Sequence, residues 1–146
     1  MARTRLSVDF SGLLAQLEEA GNAALPAAKV GLYETAGAVA DAVKAEAGTL
    51  PYDPATVSQI RDAVGVSVFR DGAGETQTSV GVEGYFAHSG FPIPFFVNEI
   101  EHGTSRMPAR PFMRNAARRV QAEAEAKGNR AAEQFAQKIL DKITDK

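Results

Sequence analysis

The stretch VNEIEHGTSRMPARPFMR, residues 97–114, joins two kinds of pattern and decides how the rest of the chain is arranged. Apolar and polar residues alternate before Gly103, which favours a β-strand, and Gly103 with Thr104 indicates a turn. Pro108 and Pro111 favour an extended backbone at the residues that precede them. Pro111 also suits the first position of a helix, where its missing N–H costs nothing. The stretch therefore predicts a strand, a turn, an extended crossing and the start of a C-terminal helix.

Helical spacing of apolar and alanine residues marks the two ends of the chain. It begins near residue 9, continues from residue 23 to residue 47, and returns from residue 111 to residue 144. Gly128 and Asn129 interrupt the last segment, and the pair predicts a kink or a split in that helix. Long helices are therefore expected before and after the central part of the chain.

The central part carries β-patterns. Alternating valines predict strands over residues 64–69 and 76–82, and the glycine-rich link between them predicts a hairpin with a mobile tip. Residues 84–94 contain glycine and proline among their aromatic residues and predict a loop. A third strand is expected over residues 95–101, because the alternation there continues up to the turn.

This order of elements predicts an α+β domain. Its parts are a long N-terminal helix, an antiparallel β-meander of three to four strands, and a long C-terminal helix packed on the sheet. Residues 1–8 are expected to form a flexible N-terminal arm, and residues 9–146 a single domain.

Composition excludes several classes of protein. The chain contains no cysteine, which rules out a disulfide framework, a thiolate metal site and a cysteine nucleophile. Its formal net charge is −2, so the molecule as a whole is not expected to bind polyanions. No uninterrupted apolar run approaches the roughly 20 residues of a membrane helix. The basic residues at the start are not followed by an apolar stretch, so a secretory signal is not expected.

The pattern Glu-x-Gly-Thr-Ser-x-x-Pro-Ala-x-Pro-Phe-x-x-x-Ala, from Glu101 to Ala116, resembles the head–tail joining or tail-completion (minor tail component) proteins of long-tailed bacteriophages. The likeness is specific in order and spacing, and it is looser over the rest of the chain from about Leu13. His102 stands where that family more often has an aromatic residue. The resemblance implies a structural protein of a phage or prophage virion, located at the neck or tail top, which completes the tail and joins it to the head.

The resemblance also implies how such a protein works. Its partners would be other neck or tail proteins, and it would form a homo-oligomeric ring, commonly sixfold in this part of a phage. A free monomer that assembles only on its partner is equally compatible with the composition. It would be made in the cytoplasm of the bacterial host, without contact to a membrane and with only indirect contact to nucleic acid. No catalytic residue, cofactor or metal is expected, and the chain is not expected to be an enzyme.

A row of arginines within residues 106–119 is the most conspicuous cluster of charge. Arg114 and Arg118 share one face of the predicted helix, where they could bind phosphate or pair with carboxylates on a neighbouring subunit. We favour a protein partner, because aromatic residues that would stack on bases are missing apart from Phe112, which is expected in the core. The alternative is a nucleic-acid-binding accessory protein that uses residues 106–119. The residues expected at the assembly interface are Arg106, Arg110, Arg114, Arg118, Asp71, Gly72 and Gly74. The residues expected to hold the connection are Glu101, Gly103, Thr104, Pro108, Pro111 and Phe112.

A small metal-dependent hydrolase is the third interpretation, with Glu99, Glu101 and His102 as candidate ligands. Strand alternation opposes it, because it places the two carboxylates on one face and the imidazole on the other. The competing interpretation is structural. In that interpretation Glu101 accepts hydrogen bonds from the turn N–H groups of Thr104 and Ser105.

Overall fold

The computed structural model describes residues 3–6, 24–70 and 76–144. Two of its helices are long, and its strands form one antiparallel sheet. In chain order the elements are β1 (Arg3–Leu6), α1 (Ala24–Ala47), α2 (Pro54–Ala63), β2 (Val64–Arg70), β3 (Thr76–Val82), α3 (Ile93–His102) and α4 (Phe112–Thr144).

The predicted fold class is wrong. The first described element is a strand rather than a long helix, and the sheet is not a meander of three to four strands. Its consecutive pair is the β2–β3 hairpin, whose register places Val64 opposite Val82. The four-residue β1, from the predicted arm, adds to the other side of β3, which gives the order β1-β3-β2. The hairpin tip, with Asp71, Gly72 and Gly74, lies outside the described residues.

Residues 95–101, predicted as a third strand, lie in α3. The buried positions of this segment include Ile93, Val97 and Ile100, which are separated by four and three residues. That spacing makes one helical stripe, and all three side chains join the core. Alternation over so few residues is a weak signal, because a short apolar run satisfies both the strand period and the helix period.

The helix α2 follows a clear start signal. The carboxylate of Asp53 accepts hydrogen bonds from the N–H of Thr56 at 3.1 Å and from its hydroxyl at 2.6 Å. Pro54 occupies the first turn, where no N–H is needed. These hydrogen bonds lower the pKa of Asp53. The helix extends over ten residues.

The core lies between the hairpin, α1 and α4. One face of the hairpin packs on α1, and α1 in turn runs beside α4 over much of its length. Both helices meet through small residues, among them Ala36, Ala116 and Ala124, so their backbones approach closely. The prediction of a split at Gly128 is wrong, because α4 is one helix of 33 residues. Gly128 instead lies against Gly31 and Thr35 of α1, where no larger side chain has room.

Candidate functional site

The carboxylate of Glu101 joins the end of α3 to the start of α4. It is almost fully buried, and its Oε1 accepts a hydrogen bond from the backbone N–H of Met113 at 2.5 Å. Its Oε2 lies 3.3 Å from Nε of Arg114, whose Nη2 also donates to the carbonyl oxygen of Glu101 at 3.0 Å. A helix N-terminus offers unpaired N–H groups and the positive end of the helix dipole, so a carboxylate there is stabilised. Glu101 is therefore a cap and an ion-pair partner for α4.

The expected hydrogen bonds from Thr104 and Ser105 to Glu101 are wrong. The N–H of Thr104 donates to the carbonyl oxygen of Met107 at 2.9 Å, and the N–H of Met107 donates back at 3.3 Å. The hydroxyl of Thr104 accepts from the N–H of Arg106 at 3.2 Å. The turn thus satisfies its own backbone, which leaves the carboxylate free to reach across to α4.

Gly103 is required by both its conformation and its surroundings. Its φ is +76°, a region that side chains rarely allow. A Cβ atom here would lie 2.7 Å from the nitrogen of Ala109 and 2.9 Å from the carbonyl oxygen of Met107. The extended segment passes this close because the N–H of Arg110 donates to the carbonyl oxygen of Ile100 at 2.7 Å.

The two prolines and Phe112 complete the connection. The carbonyl oxygen of Pro111 accepts the N–H of Asn115 at 2.9 Å, so Pro111 stands at the entry to α4 as predicted. Pro108 is exposed. Phe112 is buried in the core, which confirms its predicted place. The motif that carries the resemblance thus fixes the angle between α3 and α4.

Two of the five arginines in residues 106–119 are engaged within the chain. Arg114 pairs with Glu101, and about half of its side chain remains exposed. Arg119 at the surface pairs with Glu46 of α1. Arg114 and Arg118 are both exposed on α4, but the guanidinium of Arg114 is engaged by the carboxylate and the carbonyl oxygen of Glu101 at the end of α3.

The other three arginines are open to a partner. Arg106, Arg110 and Arg118 are exposed, and within the described part of the chain none of them has a carboxylate within 4 Å. Arg106 and Arg110 lie on the connection, and Arg118 lies two turns into α4. These three cations, on the connection and in the first two turns of α4, form what we call the arginine end.

Sequence reasoning missed an aromatic groove. An open cavity of about 540 Å³ is lined chiefly by aromatic rings, including Tyr52, Phe86 and Phe96. The ring of Phe96 stacks edge-on with Tyr52 at 5.2 Å and with Phe86 at 5.3 Å between centroids. Tyr85 and Phe95, the residues that precede Phe86 and Phe96 in the chain, are 71% and 58% exposed. Large exposed aromatic residues in one segment are typical of a binding surface.

Two of the polar side chains that line the groove, Gln59 and Ser89, are already engaged within the chain. The amide of Gln59 donates to the carbonyl oxygen of Ala55 at 3.3 Å and accepts from the N–H of Ala87 at 2.8 Å. The hydroxyl of Ser89 accepts the N–H of Phe91 at 3.2 Å. The groove therefore offers mainly ring surface, which suits an apolar side chain better than a polar substrate.

A signal for this groove was present in the sequence. Five of the eleven phenylalanine and tyrosine residues fall between residues 85 and 96. Glycine and proline in the same segment indicated a loop, and a loop dense in aromatic residues is itself an indication of a binding surface.

The candidate metal ligands do not converge. Glu101 is engaged by α4, whereas Glu99 and His102 are exposed. Within residues 3–6, 24–70 and 76–144, no three acidic or histidine side chains lie close enough to hold a metal ion together. None of the helices described has both the length and the apolar character needed to cross a membrane.

No protein-family model matches the chain, and no curated protein and no solved structure matches it.

Proposed function

We propose that the chain is a structural protein of a phage or prophage virion, which completes the tail at the neck and joins it to the head. The motif from Glu101 to Ala116 carries the proposal, because its order and spacing match those of the head–tail joining family. Its residues have structural roles in this chain: Glu101 caps α4, Gly103 permits the close turn, and Phe112 enters the core. A motif used in this way fits a protein whose function resides in its surfaces.

Two surfaces are suited to protein partners. In the described part of the chain, the arginine end presents Arg106, Arg110 and Arg118 without carboxylates of their own, which favours an acidic surface on the partner. The aromatic groove presents the ring of Phe91, and the exposed ring of Phe95 lies 6.5 Å from it between centroids; such side chains dominate binding energy at interfaces. The partners would be other neck or tail proteins, and further copies of the chain in a ring.

Removal of the gene from its phage or prophage tests the function. Lysates should contain full heads and separate tails under the electron microscope, and the purified protein should restore infectious particles when it is added. Infectious particles in normal number without the gene would refute the proposal.

Reversal of Arg110 and Arg118 to glutamate tests the arginine end. Both side chains are exposed, so the double variant should keep the circular dichroism spectrum of the wild type but lose most joining activity in vitro. Reversal of the exposed Lys138 and Lys142, farther along the same helix, changes the net charge equally and should leave joining intact. Equal joining activity of the two double variants would show that the charge of the arginine end plays no part in joining.

The same preparations separate the proposal from the nucleic-acid alternative. Phosphate contacts through a few arginines would make the affinity for DNA fall steeply with salt. Titration with duplex DNA at two salt concentrations should therefore show no such fall if the partner is a protein. Tight binding with such a slope, abolished by reversal of Arg110 and Arg118, would favour the accessory protein instead.

A further inference from the structure

In the part of the chain that the structure describes, the outer edge of β2 is open. No described strand lies beyond β2 in the sheet. The carbonyl oxygen of Ala63 accepts the N–H of Glu83 at 3.1 Å, which sets the phase of the ladder between β2 and β3. Hydrogen-bonded positions alternate along an antiparallel pair. The backbone groups of Ser67 therefore face β3, whereas those of Val66 and Val68 face away from the sheet.

Within the described residues, this edge lacks the usual protection against pairing. Soluble proteins block an edge strand with lysine, proline, a β-bulge or a covering segment. Residues 64–70, VGVSVFR, contain neither lysine nor proline, and their single charge is Arg70 at the end. The register with β3 runs unbroken along the whole strand, so no bulge turns the edge away. The backbone groups at an edge of this kind can form hydrogen bonds with another strand.

The apolar face of the sheet ends at β2, where part of it is exposed to solvent. Val64, Val80 and Val82 lie on the face that packs against α1 and are buried. Val66 lies on the same face, yet 36% of it is exposed. A further strand beside β2 would extend this face and cover the exposed side of Val66.

We propose that β2 pairs antiparallel with β2 of a second copy of the chain, so that the two sheets join across a twofold axis into one. The axis passes beside residue 67, which places the two residues 67 opposite each other and aligns the whole strand with its copy. Charge favours this direction: antiparallel strands keep the two residues 70 about 20 Å apart, whereas parallel strands would place these like charges side by side. The inference goes beyond the proposed function and does not depend on it.

Single cysteines test the register directly, because the natural chain has none. In Ser67→Cys the two Cα atoms would lie about 4.5 Å apart, within the range that a disulfide spans. In Gly65→Cys, on the same face of the strand, they would lie about 14 Å apart, and the added Cβ meets open space. After mild oxidation, Ser67→Cys should give a covalent dimer and Gly65→Cys should not. Cross-linking of both variants, or of neither, would overturn the proposal.

Proline at the open edge gives an independent measurement. The N–H of Val66 faces away from β3, so Val66→Pro removes a donor from the new interface and none from the hairpin. Val66→Thr keeps that donor and serves as the control for lost apolar surface. Sedimentation equilibrium should give twice the chain mass of 15.5 kDa for the wild type and Val66→Thr, and 15.5 kDa for Val66→Pro.

Other masses count against the self-pairing. A wild-type protein that stays at 15.5 kDa up to its solubility limit overturns it, as does a dimer that survives in Val66→Pro. A complex that forms only when a different protein is added also overturns it, because the occupant of the edge is then another chain. If circular dichroism shows that Val66→Pro is unfolded, the cysteine pair alone decides.

Discussion

Replacement of Gly128 with alanine measures how closely α1 and α4 approach. A Cβ atom at residue 128 would lie 1.8 Å from Oγ1 of Thr35 and 2.6 Å from the carbonyl oxygen of Gly31. Thr35 is fully buried and its hydroxyl donates to that same carbonyl at 2.9 Å, so neither atom can turn out into solvent. The 2.6 Å contact falls about 0.8 Å short of the 3.4 Å at which ordinary contact begins, so the helices must separate.

Two effects of opposite sign decide how much Gly128→Ala changes the free energy of unfolding. Alanine is favoured over glycine in a helix interior by about 1 kcal/mol. Overpacking typically costs about 1–3 kcal/mol, and the obstruction here is a backbone carbonyl and a stiff branched side chain, which favours the upper end. We therefore expect Gly128→Ala to lower the free energy of unfolding by about 2 kcal/mol. A Cβ atom added at Gly37 of α1 would meet no atom within 4 Å, so Gly37→Ala should raise the free energy of unfolding by about 1 kcal/mol.

Urea unfolding followed by circular dichroism compares the three proteins under one condition. The midpoint should fall for Gly128→Ala and rise for Gly37→Ala. Adding Thr35→Ala to Gly128→Ala removes the nearer obstruction, so the double variant should lose less than the two single changes combined. If Gly128→Ala were as stable as the wild type while Gly37→Ala gained stability, the close crossing of the two helices would be refuted.

Three further variants test other parts of the fold. Phe112→Ala should lower the free energy of unfolding by about 3 kcal/mol or more, because it empties a buried site; an unchanged urea midpoint would contradict this. Gly103→Ala should lower it by more than Gly90→Ala, since both have positive φ but only Gly103 has backbone atoms within 3 Å of the new Cβ. Asp53 has a lowered pKa in the folded state, so its stabilising effect is present above its unfolded pKa and is lost as pH falls through its folded pKa. Stability measured from pH 7 downward should therefore show less acid sensitivity in Asp53→Asn, and identical pH profiles would contradict the cap.

Local periodicity sufficed for several elements. The helical spacing in residues 23–47 and 111–144 continues long enough for only the helix period to fit, and α1 and α4 lie in these ranges. The alternation in residues 64–69 and 76–82 likewise fits the strand period, and these ranges contain β2 and β3. The place of Pro111 at the entry to α4 also followed from the sequence, because proline suits the first turn of a helix. The burial of Phe112 followed from its helical spacing with Ala116, Val120 and Ala124.

Residues 95–101 show where the sequence was insufficient. Seven residues with four apolar positions satisfy a strand and a helix almost equally, and the burial of Val97 and Ile100 by the rest of the molecule decides for the helix. The partner of Glu101 was misjudged for the same reason. Its hydrogen bonds go to Met113 and Arg114, twelve and thirteen residues away, and only the angle between two helices brings them within reach.

The hairpin, the long helical segments and the turn at Gly103 could be predicted from the amino-acid order alone, because each depends on neighbours within a few residues. The packed molecule was needed to explain Gly128. The sequence indicated a helix breaker, whereas the structure shows that the missing side chain lets α4 lie close to Gly31 of α1. It was also needed to show that Arg114 pairs with Glu101 and that Phe96 of α3 stacks on Tyr52 in a groove that loop residues Phe86 and Phe91 also line. Those outcomes depend on contacts between residues distant in the chain, and such contacts form only when the apolar faces of separate elements pack together.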